Sequence, residues 1–140
     1  MSIIDEKSKI LNKLNSSGFS DFISKFDIST VIVFGSICND EFNEFSDVDI
    51  AVLGENKLKL DSVLDIELFL EEFLEREIDV LDLRSDNLDI FIKINILNDG
   101  KIIYCNDNKE EFEKFCDETD WIYRENENFM YFRRVDLLSD

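Results

Sequence analysis

The sequence predicts an α/β (α+β) domain in which helices flank a small mixed β-sheet. Two observations carry that expectation. Short β-branched, apolar runs close on glycine or alternate with acids, and stretches of three-to-four-residue apolar spacing lie between them.

Ile3, Ile4, Ile10, Leu11 and Leu14 approximate helical spacing, and Asn15-Ser16-Ser17-Gly18 is expected to stop that first helix. A short second helical piece over Phe19 to Phe26 follows. Thr30-Val31-Ile32-Val33-Phe34 is an apolar run ended by Gly35, as expected of a strand buried on both faces. Asp47-Val48-Asp49-Ile50-Ala51-Val52-Leu53 alternates and then turns apolar before Gly54, which reads as a second strand. The gap between them, Gly35 to Ser46, must hold a compact turn or a short helix.

Leu60, Val63, Leu64, Leu68, Phe73 and Leu74 recur among acids and mark a long amphipathic helix ending near Arg76. Ile78-Asp79-Val80-Leu81-Asp82-Leu83 alternates as a third strand. Residues 86–98 fit either periodicity, but Asp86 or Asn87 as a cap and Gly100 as terminator favour a helix. Lys101 to Cys105 is a short strand, and Asn108 to about Leu138 carries acidic helix with Phe112, Phe115, Trp121, Ile122, Phe129, Phe132 and Val135. Trp121, Tyr123 and Tyr131 read as core residues of that helix rather than as a base-stacking platform, with a partner surface as the alternative for apolar residues left exposed there.

No repeat or linker divides the 140 residues, so one domain is expected, with a core over about 28–107 and an acidic helical segment over about 108–140. A domain of this size buries about 68–70% of the surface its unfolded chain exposes. The 13 Phe and the 44% hydrophobic content supply the material for such a core.

Thirty-three acids against 15 bases leave a net charge of −18, which repels a phosphate backbone and argues against direct nucleic-acid binding. A basic protein partner, or a nucleotide screened by divalent cations, suits that charge. Cys38, Cys105 and Cys116 are odd in number and lack metal-ligand spacing, so reduced thiols are expected. No stretch approaches the ~20 apolar residues of a membrane span, and a cytoplasmic protein is the expectation. Histidine is absent, which excludes Ser/His and Cys/His catalysis and histidine metal ligands.

The chemistry therefore falls to carboxylates and hydroxyls. On a strand, Asp47 and Asp49 share a face with Cα atoms roughly 6.6 Å apart at ~3.3 Å per residue. Two anions at that separation are costly unless a cation is bound, one proton is retained or both side chains are fully solvated. The cation is the attractive choice because Mg²⁺ takes one or two carboxylates together with substrate phosphates. Gly35-Ser36 ends the first strand, where a missing Cβ, exposed N–H groups and a hydroxyl suit a phosphate. Asp79 on the third strand is placed to bind a second metal ion or to accept a proton. Asp82, three residues on, faces the other side.

Gly35-Ser36, ten residues, then Asp47-Val48-Asp49 resembles the G-S-x10-D-x-D signature of the polymerase-beta-like nucleotidyltransferases. VIVF before the glycine and IAVL after the second aspartate strengthen the likeness, and REIDVLDL around Asp79 with NILNDGKIIYCND resembles the minimal nucleotidyltransferases of toxin–antitoxin modules. That resemblance implies the polymerase-beta-like fold and two Mg²⁺ ions on ATP held by Asp47, Asp49 and Asp79. It further implies that Gly35 and Ser36 grip the outer phosphates and that AMP is transferred to a hydroxyl, a tyrosine in this family, of a HEPN-family ribonuclease toxin.

Family members often carry arginines just after Gly-Ser, whereas here Ile37-Cys38-Asn39-Asp40-Glu41 has no positive charge. Lys57, Lys59, Arg84 and Lys93 are the candidates to replace them. The alternative expectation is a weak or inactive nucleotidyltransferase-fold protein that neutralises a toxin by binding. Transfer to a small alcohol such as an antibiotic is a third.

Overall fold

The computed structural model describes residues 2–125. The chain runs α1 (Ile3–Leu14), α2 (Ser17–Ile23), β1 (Thr30–Phe34), a 3-10 turn (Gly35–Cys38), β2 (Val48–Leu53), α3 (Leu60–Leu74), β3 (Ile78–Asp82), α4 (Ile90–Asp99), β4 (Lys101–Cys105) and α5 (Glu110–Glu125). The four strands form one sheet in the order β3-β2-β1-β4. β1 pairs antiparallel with β2 and with β4, whereas β2 and β3 run parallel because α3 supplies the crossover between them. The expected mixed sheet is therefore present, with β1 and β4 matching their sequence-read bounds to the residue.

Alternation of side chains along the strands divides the apolar residues into two layers. Val31, Val33, Ile50, Val52 and Val80 face α1, α2 and α3, where Leu14, Phe19, Ile23, Ile66 and Leu70 are buried. Ile32, Ala51 and Leu53 face the other way and pack with Ile96 of α4 and Phe115 of α5. Because β2 is inside the sheet and covered on both sides, Ile50, Ala51, Val52 and Leu53 are all fully buried.

Several local expectations need correction. Ser17 and Gly18 do not extend the stop after α1 but begin α2, since Asn15 already closes α1 with its N–H on Leu11 and Lys13 carbonyls. β2 starts at Val48, whose N–H bonds the Glu77 carbonyl at 3.0 Å, so Asp47 stands at the mouth of the strand rather than in it. The cap of α4 is Asp89, which accepts from the Phe91 N–H at 2.7 Å, and not Asp86 or Asn87. Trp121 is 64% exposed, so the core side of α5 is carried by Phe112 and Phe115 instead. Tyr131, Phe129, Phe132 and Val135 lie outside the described residues. No helix among those residues is long and apolar enough to cross a membrane.

Candidate active site

The sheet brings the sequence-selected residues to one end. β1 finishes there and, because β2 runs antiparallel to it, β2 begins there. Phe34 pairs with Asp49 across β1–β2, and Asp49 pairs with Asp79 across the parallel β2–β3 ladder. Adjacent strands lie ~4.8 Å apart, so the two carboxylates leave neighbouring backbones on the same sheet face, the face that carries Ala51 and Leu53 further along. Asp47 stands two residues before Asp49 and adds a third carboxylate at the same edge. Asp47 and Asp79 are exposed, and Asp49 is half-buried.

Gly35 joins this group by close packing. Its φ of +79° is left-handed, and a Cβ at this position would overlap Asp49 Oδ2. The turn after β1 thus lies directly against the central carboxylate, with Ser36 half-buried beside it. Ile37 is buried in the first apolar layer and anchors the turn to the core.

Electrostatics follow from that geometry. Burial pushes the Asp49 carboxyl above its ordinary range, and the Asp79 and Asp47 charges push it further in the same direction. The site is an anionic cluster whose middle member has like charges as its titratable neighbours. Oxygen donors with uncompensated charge are the set that suits Mg²⁺. Among the described residues no three acidic or thiol groups are gathered closely enough to cage an ion by themselves. An ion held by these carboxylates therefore needs further oxygens from a ligand, as a triphosphate would supply.

The proposed substitutes for the missing arginines do not come to this end. Lys57 and Lys59 follow the C-terminus of β2, and Lys57 pairs with Asp86 at 3.2 Å. Arg84 follows β3, bonds Glu111 and Glu118, and lies over the Phe115 ring, near which Lys93 also sits. Three other cations, not read from the sequence, stand near this end, Arg76 beside the carboxylates and Lys7 and Lys101 beside the turn after Gly35. Arg76 lines a cleft of about 560 Å³ with Asp47, Glu71, Glu75 and Asp79. Its guanidinium donates to the Asn43 carbonyl at 2.8 Å and the Ser46 carbonyl at 2.9 Å and stacks on Phe42, so it holds the loop that delivers Asp47. Lys7 of α1 donates to the Asn39 carbonyl at 3.0 Å, and the Lys7 and Lys101 charges both act on Cys38. Burial outweighs them and pushes the Cys38 thiol up, which keeps it protonated. The signal for these three is long-range: they approach from α1, the end of α3 and β4.

A second cleft, about 780 Å³, opens on the other side of Gly35 between the 3-10 turn and α4. Phe34, Cys38 and Asn39 line it opposite Ile92, Asn95 and Asp99. Its apolar wall and amide groups offer a surface next to Gly35 on which the base and sugar of a nucleotide can rest.

The sequence model of the family described as "Polymerase beta, Nucleotidyltransferase" matches residues 19–109, which include every residue of the constellation. No curated protein matches the chain. Among solved structures, a toxin–antitoxin complex with AMP-PNP contains a chain that is 21% identical, with a TM-score of 0.70 over 91% of this chain and 98% of its own. A chain of a toxin–antitoxin MntA-HepT structure is 20% identical, with a TM-score of 0.65 over 90% of this chain and 98% of its own. A complex of a tri-AMPylated Shewanella oneidensis HEPN toxin with its MNT antitoxin gives 20% identity and a TM-score of 0.61, over 98% and 99% of the two chains. At these identities the likeness is one of fold.

Proposed function

The chain belongs to the polymerase beta nucleotidyltransferase family, and on that premise we propose that it is an antitoxin that transfers AMP from ATP to a hydroxyl, first of all a tyrosine, of a HEPN-family toxin. The observation that carries the reading is the placement of Asp49. It faces Asp79 in register, follows Asp47, and lies against Gly35 with its carboxyl pushed up. A structure gains nothing from such crowding, whereas a phosphoryl-transfer site needs it. The tri-AMPylated HEPN toxin in complex with an antitoxin of the same fold supports the choice of transferred group and of acceptor protein.

Asp47, Asp49 and Asp79 would hold Mg²⁺ together with triphosphate oxygens, and the metal when bound supplies the positive charge that offsets charge developing on the phosphoryl group. Gly35 admits the phosphates to the backbone because no Cβ stands in the way, and Ser36 offers a hydroxyl. Arg76 keeps the loop before Asp47 in place, while Lys7 and Lys101 add positive charge beside the turn. The acceptor oxygen bonds to the α-phosphorus as the bond from that phosphorus to the bridging oxygen breaks and pyrophosphate departs. The acceptor's proton passes to Asp79, the more exposed of the two register-paired carboxylates.

The test is incubation of the chain with α-labelled ATP, Mg²⁺ and the product of the neighbouring reading frame. Label is expected on the partner protein and is expected to vanish with Asp47→Asn and Asp49→Asn. Absence of label, or equal labelling by those variants, overturns the reading.

One observation favours a second reading, in which the chain neutralises its partner by binding alone. The turn Ile37–Glu41 has no cation of its own, and the nearby Arg76 and Lys7 are already engaged with backbone carbonyls. Neutralisation in cells that survives Asp47→Asn with Asp49→Asn would establish this reading and displace the first.

A further inference from the structure

α3 buries Ile66, Leu70 and Leu74 against the sheet, yet it also turns Leu60, Leu64 and Leu68 to solvent at 73%, 45% and 64% exposure. Their spacing of i, i+4 and i+8 sets them in one stripe along the outer side of the helix. Isolated exposed leucines are ordinary, but three in line on a helix give a continuous ridge. The same line continues one turn further to Glu71 and then to Glu75. Those two acids line the cleft that also holds Asp47, Arg76 and Asp79, so the ridge points at the candidate active site.

The surroundings of the ridge select its occupant. Asp61, Asp65 and Glu72 border one side and Glu67 the other, and α3 contains no Lys or Arg. A second copy of this chain, with net charge −18, would bring like charges together around the leucines. Residues 126–140 leave from α5, which packs on the opposite sheet face from α3. We propose that the Leu60–Leu64–Leu68 ridge docks an amphipathic helix of the partner protein whose apolar stripe is bordered by Lys or Arg, and that this docking aims the acceptor hydroxyl at Asp79. The second half of this statement rests on the proposed transfer activity; the docking surface does not.

Two measurements on the 140-residue chain test it. The first is fluorescence anisotropy with a labelled synthetic helix carrying leucines at i, i+4, i+7 and i+11 with lysine borders, and with its glutamate-bordered twin. The lysine helix is expected to bind the parent chain and the glutamate helix is not. The double variant Leu64→Ser with Leu68→Ser is expected to weaken binding at least about tenfold, since two apolar side chains lose their burial. Ile4→Ser, which alters an exposed apolar residue on α1, is expected to leave binding unchanged. Equal affinity in the double variant, or equal loss with Ile4→Ser, overturns the docking surface. Light scattering that finds a parent dimer and a monomeric double variant assigns the ridge to self-association and also overturns it. A photo-crosslinker at position 64 that captures residues 126–140 of the same chain does likewise.

The second measurement is the thermal shift produced by Mg²⁺ and ATP. The double variant is expected to keep the full parental shift, which separates a docking defect from damage to the nucleotide site. A parent chain that binds the lysine helix but shows no nucleotide shift overturns the proposed transfer activity and leaves the docking surface standing. Where the parent labels its partner, the double variant is expected to raise the KM for that protein with little change in kcat. Unchanged KM and kcat in the double variant overturn the aiming role.

Discussion

The two ends of β3 carry one aspartate each, and the chain treats them in opposite ways. Asp82 is 8% exposed, yet its carboxylate accepts from the Leu58 N–H at 2.8 Å and the Arg84 N–H at 2.9 Å. Arg84 in turn donates to the Gly54 carbonyl, pairs with Glu118 and Glu111, and lies on Phe115. Charge at that end is hydrogen-bonded and matched, so it ties the β2–α3 connection to β3 and to α5. At the other end Asp79 faces Asp49 with Asp47 nearby, and among the described residues the charges that act on Asp49 repel it. A fold that can satisfy a carboxylate so fully at one end has left three in conflict at the other. The difference marks the second end as a place for something that arrives from outside.

Substitutions at the two ends separate these roles, and the largest effect is expected on activity. Asp49→Asn should lower partner labelling by about 100- to 1,000-fold or more, measured as initial rates, because charge complementary to the transition state is lost. The same variant should be at least as stable as the parent without ligand, since a repelled charge has gone. A loss of both activity and stability would erase the contrast between the ends.

Asp82→Ala should act in reverse. Leaving the Leu58 and Arg84 N–H groups without their acceptor should cost about 1–3 kcal/mol in urea unfolding, while the folded fraction keeps its kcat. Gly35→Ala tests the contact between turn and carboxylate. A positive φ and an overlap with Asp49 should cost about 1–2 kcal/mol and weaken nucleotide binding, read by calorimetry. Arg76→Met removes two bonds to carbonyls and should cost about 1 kcal/mol with a raised KM for ATP; Arg76→Lys should recover part of each.

The smallest effect expected is on the pH dependence of stability. Asp49 has a raised pKa in the fold, so between its unfolded and folded values the folded chain holds the extra proton. Stability should therefore fall as pH rises through that window and stay lower above it. Thermal melts of Asp49→Asn should lack this component, so its advantage over the parent should be nil at low pH and largest near neutrality. Saturating Mg²⁺ and ATP should flatten the parent's slope.

Much of the fold was legible because its strands obey local rules. Thr30–Phe34 and Lys101–Cys105 are short apolar runs closed or preceded by glycine, and both appear at their expected bounds. Asp82 was set apart from Asp79 by strand alternation alone, and its burial on the other face bears that out. The caps were harder to read. Asp86, Asn87 and Asp89 are all acceptable caps, and only the path of the chain after β3 selects Asp89. Trp121 was expected in the core because aromatic residues recur along α5, but the helix has one sheet-facing side, and Phe112 and Phe115 take it.

The sequence by itself determined which residue types could do chemistry here and that Gly35, Ser36, Asp47 and Asp49 belong to one turn-and-strand unit. Spacing within a strand and the absence of histidine are local facts, and they are enough for that. Tertiary structure alone decided which charges surround the unit. Pairing β2 parallel with β3 sets Asp79 beside Asp49, and closure of α1, α3 and β4 around the turn brings Lys7, Arg76 and Lys101. It also sends Arg84, Lys57 and Lys59 to the far end. Coulomb interactions depend on distance in space, and a residue roughly thirty or sixty positions away in the chain becomes a neighbour only when the sheet assembles.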